Sequence, residues 1–270
     1  MTNPSQASSQ APSQTPSQDP PRTAVVTGAS SGLGVAIAKA LGALGWRVAV
    51  GARRLDRLRD TAGEIKEAGG QALAHPLDVA DPESVDRFFT AVEAEFGLVD
   101  VVVNNAGLSH PGLLKDVAPE KIAEEIAVNL SGAAYMCQRA LGPLYAARSR
   151  GDLIFISSDA KRWPRPHQAI YTATKAGLEG LASALAMEFE GTGLRSTVIR
   201  VGPAMSEYAS DWGAPLITEL VTRWQHFGLQ RHLAMMPGEA IARAVVTAVT
   251  TPEGVRIDTL EVQPEAPRDP

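Results

Sequence analysis

The chain has 270 residues, of which 44% are hydrophobic and 20% charged, so it carries enough apolar material for a large core and does not read as a mainly disordered polymer. Its 25 basic and 30 acidic side chains give a formal net charge of -5, which supplies no general attraction for nucleic acid, and no such partner is expected. A secretory leader needs a basic start before an apolar run, and a membrane span needs about 18 consecutive apolar residues. Neither pattern occurs, so no membrane insertion is expected and the cytoplasm is the expected location.

The chain opens with a tract that repeats P-S-Q at Pro4, Pro12 and Pro16 and, from Thr2 to Pro21, holds no aromatic residue and no aliphatic one larger than alanine. Such a segment cannot join a core, and residues 1–21 are predicted to be a disordered tail. Thr23-Ala-Val-Val-Thr27 is short and β-branched, glycines interrupt it, and Val35 to Leu44 is rich in helix formers. That is strand, turn, helix. The order recurs: strands at Arg47 to Val50, Ala72 to Ala74 and Val99 to Val103 precede helices expected from Leu55, near Pro82 and near Pro119. Leu153 to Ile156 and Arg195 to Val201 add two strands around a helix from Tyr171 to Phe189. A helix from Glu239 to Val249 leads to a seventh strand at Ile257 to Val262. Alternating strands and helices imply right-handed crossovers and a parallel sheet covered on both faces, an α/β fold.

No proline-rich linker divides residues 22–264, which read as one Rossmann-like domain with a short flexible tail at 265–270. Cys137, the only cysteine, lies in an apolar helical run and is expected to be a core residue. The five histidines show no close metal-ligand spacing, so no metal is expected. The basic stretch Lys161, Arg162, Arg165 is either a solvated loop or the rim of a pocket. Between Pro203 and Gly238, tryptophans and methionines occur without strand periodicity; the segment either packs as helix or lies over the substrate as an apolar lid.

Gly28, Gly32 and Gly34 fall in T-G-A-S-S-G-L-G, between the first strand and the first helix. Glycines there permit a sharp turn and bring backbone amides to a pyrophosphate at a helix N-terminus. Ser30, Ser31 and Leu33 belong to the same candidate cradle. The motif lacks the Lys-Ser/Thr ending of a nucleoside-triphosphate loop. The second strand runs out through Ala52-Arg53-Arg54; where an NAD-selective pocket would place a carboxylate for the ribose hydroxyls, positive charge favours a 2′-phosphate. NADP(H) is the expected cofactor, with Arg53 the first choice for the phosphate and Arg54 beside it. Asp78 either holds the adenine amino group or caps the helix after Pro82.

Tyr171 and Lys175 lie four positions apart on a predicted helix and share a face. An ammonium near the phenol oxygen is expected to lower the tyrosine pKa toward neutrality. Ser158 follows a strand end and is placed to donate to a carbonyl oxygen, while Asn129, inside a helical region, is an amide that must find partners.

Together these residues carry a resemblance. The chain resembles the classical short-chain dehydrogenase/reductase family over nearly all of Arg22 to Val262, through Thr27 to Gly34, Asp78-Val79, Asn104-Asn105-Ala106-Gly107, Asn129, Ser158 and Tyr171-x-x-x-Lys175. The resemblance implies a Rossmann-like fold with a seven-stranded, mainly parallel sheet and a homodimer or homotetramer. It also implies a tetrad in which Tyr171 exchanges the proton, Ser158 polarises the substrate oxygen, and Lys175 holds nicotinamide ribose while tuning Tyr171. Asn129 would support Lys175 through an ordered water. Asn105, Ala106 and Gly107 would border the cofactor, as would Val79, and Pro203 and Ser206 would meet its nicotinamide end. Ala204 departs from the pattern, which usually has glycine there. The implied activity interconverts a carbonyl and a secondary alcohol, with reduction of a partly apolar ketone or aldehyde expected. Leu108, His110, Trp163, His167, Met205, Tyr208, Trp212 and Trp224 are candidate pocket walls. A regulatory or scaffold protein that binds NADP(H) with little turnover is the alternative.

Overall fold

A computed structural model describes residues 21–268. The expected N-terminal tail lies, up to Pro20, outside the described residues, as do residues 269–270. Seven strands form one parallel sheet in the order β3-β2-β1-β4-β5-β6-β7: β1 (Thr23–Thr27), β2 (Arg47–Ala52), β3 (Gln71–Pro76), β4 (Val101–Asn104), β5 (Gly151–Ser158), β6 (Leu194–Val201) and β7 (Thr259–Val262). Between them run α1 (Gly32–Gly42), α2 (Leu55–Glu67), α3 (Pro82–Phe96), α4 (Pro119–Ile126), α5 (Gly132–Ala147), α6 (Ala169–Glu188), α7 (Ala214–His226) and α8 (Gly238–Val249).

The strands read as continuous apolar runs because both faces of the sheet are covered. Successive side chains alternate between two cores: Ala24, Val26, Val101, Val103, Ile154 and Ile156 pack with Ile37 and Leu41 of α1 and Ile241 and Val245 of α8. Val25, Val102, Leu153 and Phe155 point the other way, onto Phe88 and Phe89 of α3, Met136 of α5 and Leu178 of α6. Cys137 is buried in this second core, and desolvation pushes its thiol up to about 12, so it is an inert packing residue.

The segment after Pro203 contains a true helix, α7, whose inner face buries Leu220 and Trp224. No helix among the described residues is long and apolar enough to cross a membrane. Strand order reverses at β1, whose neighbours are β2 and β4, and a crevice at the carboxyl ends of strands at such a reversal is where doubly wound folds take ligands.

Candidate active site

The turn after β1 is built for close backbone approach. Gly28 has φ +66° and faces Ala106, whose Cα would lie 2.9 Å from a Cβ at position 28; a Cβ on Gly34 would lie 2.8 Å from Ala29 Cα. Thr27, at the end of β1, locks this turn to the loop after β4: its Oγ accepts from Asn105 N at 3.0 Å and Ala106 N at 2.9 Å. Asn105 Nδ2 donates to the Thr27 carbonyl at 2.8 Å, so its side chain is spent on holding the turn. α1 begins at Gly32, three residues before the helix expected from Val35, and Ser31 at its N-cap makes no side-chain cap hydrogen bond. The first amides of α1 are therefore left as donors, and with the glycines they fit the pyrophosphate of a dinucleotide.

Of the two arginines after β2, Arg54 is the one that reaches this turn. Its Nη2 donates to Ser30 Oγ and Ser31 Oγ, each at 3.0 Å, and its Nη1 pairs with Glu207 at 2.9 Å. Arg53 is exposed, and among the described residues its guanidinium has no hydrogen bond or ion pair. The reason is local: the chain turns into α2 at Leu55, which swings Arg54, its N-cap, back over the serines. Asp78 accepts from Ala80 N at 3.0 Å, while α3 is capped by Asp81, which accepts from Glu83 N at 3.0 Å. The capping alternative for Asp78 thus belongs to Asp81.

Asn129 sits in a π-helical turn spanning Ala127–Ser131 between α4 and α5, a distortion frequent at functional sites. Its side chain is buried and grips Leu108 at both ends: Oδ1 accepts from Leu108 N and Nδ2 donates to Leu108 O, each at 2.8 Å. Nδ2 also donates to Thr174 Oγ1 of α6 at 3.2 Å. Gly107 lies between, since a Cβ there would stand 3.4 Å from Asn129 Oδ1 and 3.5 Å from Lys175 Nζ.

Ser158 ends β5, and its Oγ accepts from Ala160 N at 3.1 Å. Lys175 is buried, donates from Nζ to Ile156 O at 2.8 Å, and lies 5.6 Å from the centre of the Tyr171 ring. Burial depresses the Lys175 pKa to about 8, opposed by the negative charge of Glu125. Tyr171 differs from the sequence expectation. Desolvation, only partly offset by hydrogen bonding with Ser158 and Tyr208, pushes its phenol up to about 12. The ammonium stands over the ring and is bound to a strand carbonyl, so burial outweighs its pull.

Two buried pairs that no local spacing announced hold the surroundings. Asp159, just after Ser158, takes a two-pronged ion pair from Arg165 at 2.7 and 2.8 Å. Glu179 of α6 pairs with Arg200 of β6 at 2.8 Å and accepts from Ser157 Oγ at 2.8 Å. In the basic stretch Lys161 and Arg162 are exposed and pair with Glu179 and Glu261, each at 3.3 Å, and Arg162 also borders the larger cavity described below.

The candidate pocket residues divide. Tyr208 packs on Tyr171 with ring centres 5.1 Å apart, accepts from Gln168 Nε2 at 2.9 Å, and touches Trp212 at 4.9 Å; Trp212 Nε1 donates to Ser109 O at 3.2 Å. His110 and His167 border a small cavity of about 10 Å³ beside Tyr171, with Glu125 and Gln168. Trp163 lies apart from these, in a cavity of about 460 Å³ shared with Asp159, Pro203, Leu229, Arg231 and Gln263. Trp224 is buried and anchored to Pro166 O at 3.1 Å, which makes it a strut of the loop. Met205 is exposed, its backbone fixed by Met205 N donating to Met236 O at 2.9 Å, and Ala204 pairs with Met236 in an isolated bridge.

The family model described as short chain dehydrogenase matches residues 22–215. The chain belongs to the short-chain dehydrogenase/reductase family. It is 38% identical to a short chain dehydrogenase of Pseudocercospora fijiensis over 72% of this chain and 62% of that protein. The chain thus spans less than two thirds of that relative's length. It is 36% identical to 3beta-hydroxysteroid dehydrogenase 1 of Eggerthella lenta, over 78% of this chain and 83% of that one. A metagenomic short-chain oxidoreductase solved in complex with NADP superposes with a TM-score of 0.74 at 34% identity, covering 91% of this chain and 98% of its own.

Proposed function

We propose that the protein is an NADP(H)-dependent oxidoreductase that interconverts a carbonyl and a secondary alcohol, with reduction of a partly apolar ketone or aldehyde as its working direction. The observation that carries this reading is the meeting of Tyr171 with Ser158, beside buried Lys175, whose Nζ faces Gly107 in the loop that Thr27 ties to the glycine turn. NADP(H), once bound, supplies the hydride. Tyr171, with its pKa about 12, holds its proton near neutrality and is placed to give it to the substrate oxygen as negative charge develops there. Ser158 donates to the same oxygen and orients it. Lys175 offers Nζ to the nicotinamide ribose, and Asn129 fixes the Leu108 backbone beside it.

The phosphate preference is supported by Arg54 over Ser30 and Ser31, and by the NADP held by the metagenomic relative; Arg54 replaces Arg53 as the first choice. The apolar character of the substrate is supported by the Tyr208 and Trp212 rings packed in succession beside Tyr171, and by the hydroxysteroid named for the Eggerthella lenta relative. The test is oxidation of NADPH and NADH by purified protein across ketones, aldehydes, quinones and steroid-like carbonyls. Turnover with at least one carbonyl, lost on removing the Tyr171 hydroxyl, is the expected result. Tight NADP(H) binding with no turnover across the panel would favour a regulatory role.

A further inference from the structure

Glu207 was not singled out by any motif, yet its carboxylate holds the best-defined anion position on the cofactor side of the cleft. Oε2 pairs with Arg54 Nη1 at 2.9 Å, and Oε1 takes the Arg57 guanidinium. Arg54 and Arg57 stand three residues apart at the start of α2 and so share a face. Arg54 also donates to Ser30 Oγ and Ser31 Oγ. Two guanidinium groups and two hydroxyls beside the N-terminus of α1 are a richer donor set than one carboxylate can use, and they match a phosphate dianion.

The residues flanking Glu207 make its position consequential. Ser206 lies directly on the glycine turn, its Cβ 3.2 Å from where a Gly32 Cβ would be. Tyr208 lies on the Tyr171 ring. Three consecutive residues therefore meet, in chain order, the turn that faces the pyrophosphate, the arginine cradle and the ring of Tyr171. The contacts that hold Glu207 are exposed, with 40% of the Glu207 side chain and 47% of the Arg54 side chain open to solvent. Exposed pairs contribute little to stability, so a more highly charged ligand can displace the carboxylate at small cost.

We propose that Glu207 is a cofactor-selectivity residue: its carboxylate occupies the Arg54–Arg57 cradle as an internal anion, and a 2′-phosphate must displace it. This rests on the NADP(H) reading above. A ribose 2′-hydroxyl carries no charge to compete and can donate to the carboxylate. Glu207 therefore weakens the intrinsic preference of the arginines for NADP(H).

The test is calorimetric titration of the full chain with adenosine 2′-monophosphate, NADP⁺ and NAD⁺, at low and high salt, in wild type, Glu207→Gln and Arg57→Met. Glu207→Gln is expected to tighten both phosphate-bearing ligands by about five-fold or more at low salt, less at high salt, with little change for NAD⁺. Arg57→Met is expected to weaken adenosine 2′-monophosphate. Because Glu207 and Arg57 are exposed, neither change should shift the thermal transition. Unchanged NADP⁺ affinity in Glu207→Gln overturns the proposal; if wild type still prefers NADP⁺ over NAD⁺ in that case, the NADP(H) reading stands. If neither protein distinguishes the two cofactors nor binds adenosine 2′-monophosphate, both fall.

Discussion

The amine of Lys175 stands 5.6 Å from the centre of the Tyr171 ring and spends one donor on the Ile156 carbonyl of β5 at 2.8 Å. The pair is held together by strand and helix, and each member is shifted away from its charged form by burial. Removing the phenol oxygen alone should separate chemistry from structure. Tyr171→Phe is expected to keep NADP(H) affinity and the thermal transition while slowing single-turnover hydride transfer by roughly 10²-fold or more. A near-wild-type rate at matched cofactor occupancy would reject Tyr171 as the donor and move attention to His167.

The same shifts set the direction of the pH dependence. A phenol at about 12 is protonated across the neutral range, so reduction should lose no donor there, whereas alcohol oxidation needs the phenolate and should quicken as pH rises. Rates of both directions measured over a pH series check this; oxidation that slows toward alkaline pH would contradict it.

Lys175 gives an independent stability test. Its folded pKa of about 8 lies below the ordinary 10.5, so between those values the unfolded chain binds more protons and folded stability rises with pH. The penalty for burying the charge is thus fully present below about 8 and fades above it. Lys175→Met should melt higher than wild type at neutral pH, and the gap should narrow on alkaline titration. A constant gap would mean that folding leaves the pKa of the amine unshifted.

Cofactor choice tests the two arginines after β2. Arg54→Ala is expected to weaken NADP(H) selectively and leave NAD(H) much less affected, with Arg53→Ala the smaller effect. Dissociation constants for both cofactors decide it. Selectivity carried by Arg53 alone would restore the sequence-based choice.

The pair between Asp159 and Arg165 has side chains only 7% and 8% exposed. Asp159→Ala leaves a buried guanidinium without its counter-charge and should cost roughly 3–5 kcal/mol. Denaturant unfolding reads the loss, and a change under about 1 kcal/mol would mean Arg165 finds water or another partner.

The sheet was legible because a parallel strand buried on both faces leaves a continuous apolar run such as Val101-Val102-Val103, and glycines punctuate it. The start of α1 was not, since glycine weighs against helix and hides the first turn at Gly32. The identities of Tyr171, Lys175, Ser158 and Asn129 followed from spacing and resemblance, yet the tyrosine's shift did not, because desolvation depends on what covers a group. Which arginine faces the serines turns on where β2 ends, and a one-residue difference reverses the answer. Glu207 and Arg57 are 150 residues apart, and no periodicity connects them. The strut from Trp224 to Pro166, 58 residues apart, belongs to the same class of long-range contact.

The position of β1 also has a consequence for synthesis. Among the described residues it is the first strand made, and β2 covers one of its edges soon after. Its other edge waits for β4, where Ala24 aligns with Val101. Until the ribosome has released that stretch, a strand that will lie inside the sheet presents a bare row of amides and carbonyls, with Val25 and Val26 beside them. A strand buried along its whole length in the finished protein is therefore one whose nascent form depends for long on solvent or a chaperone for cover.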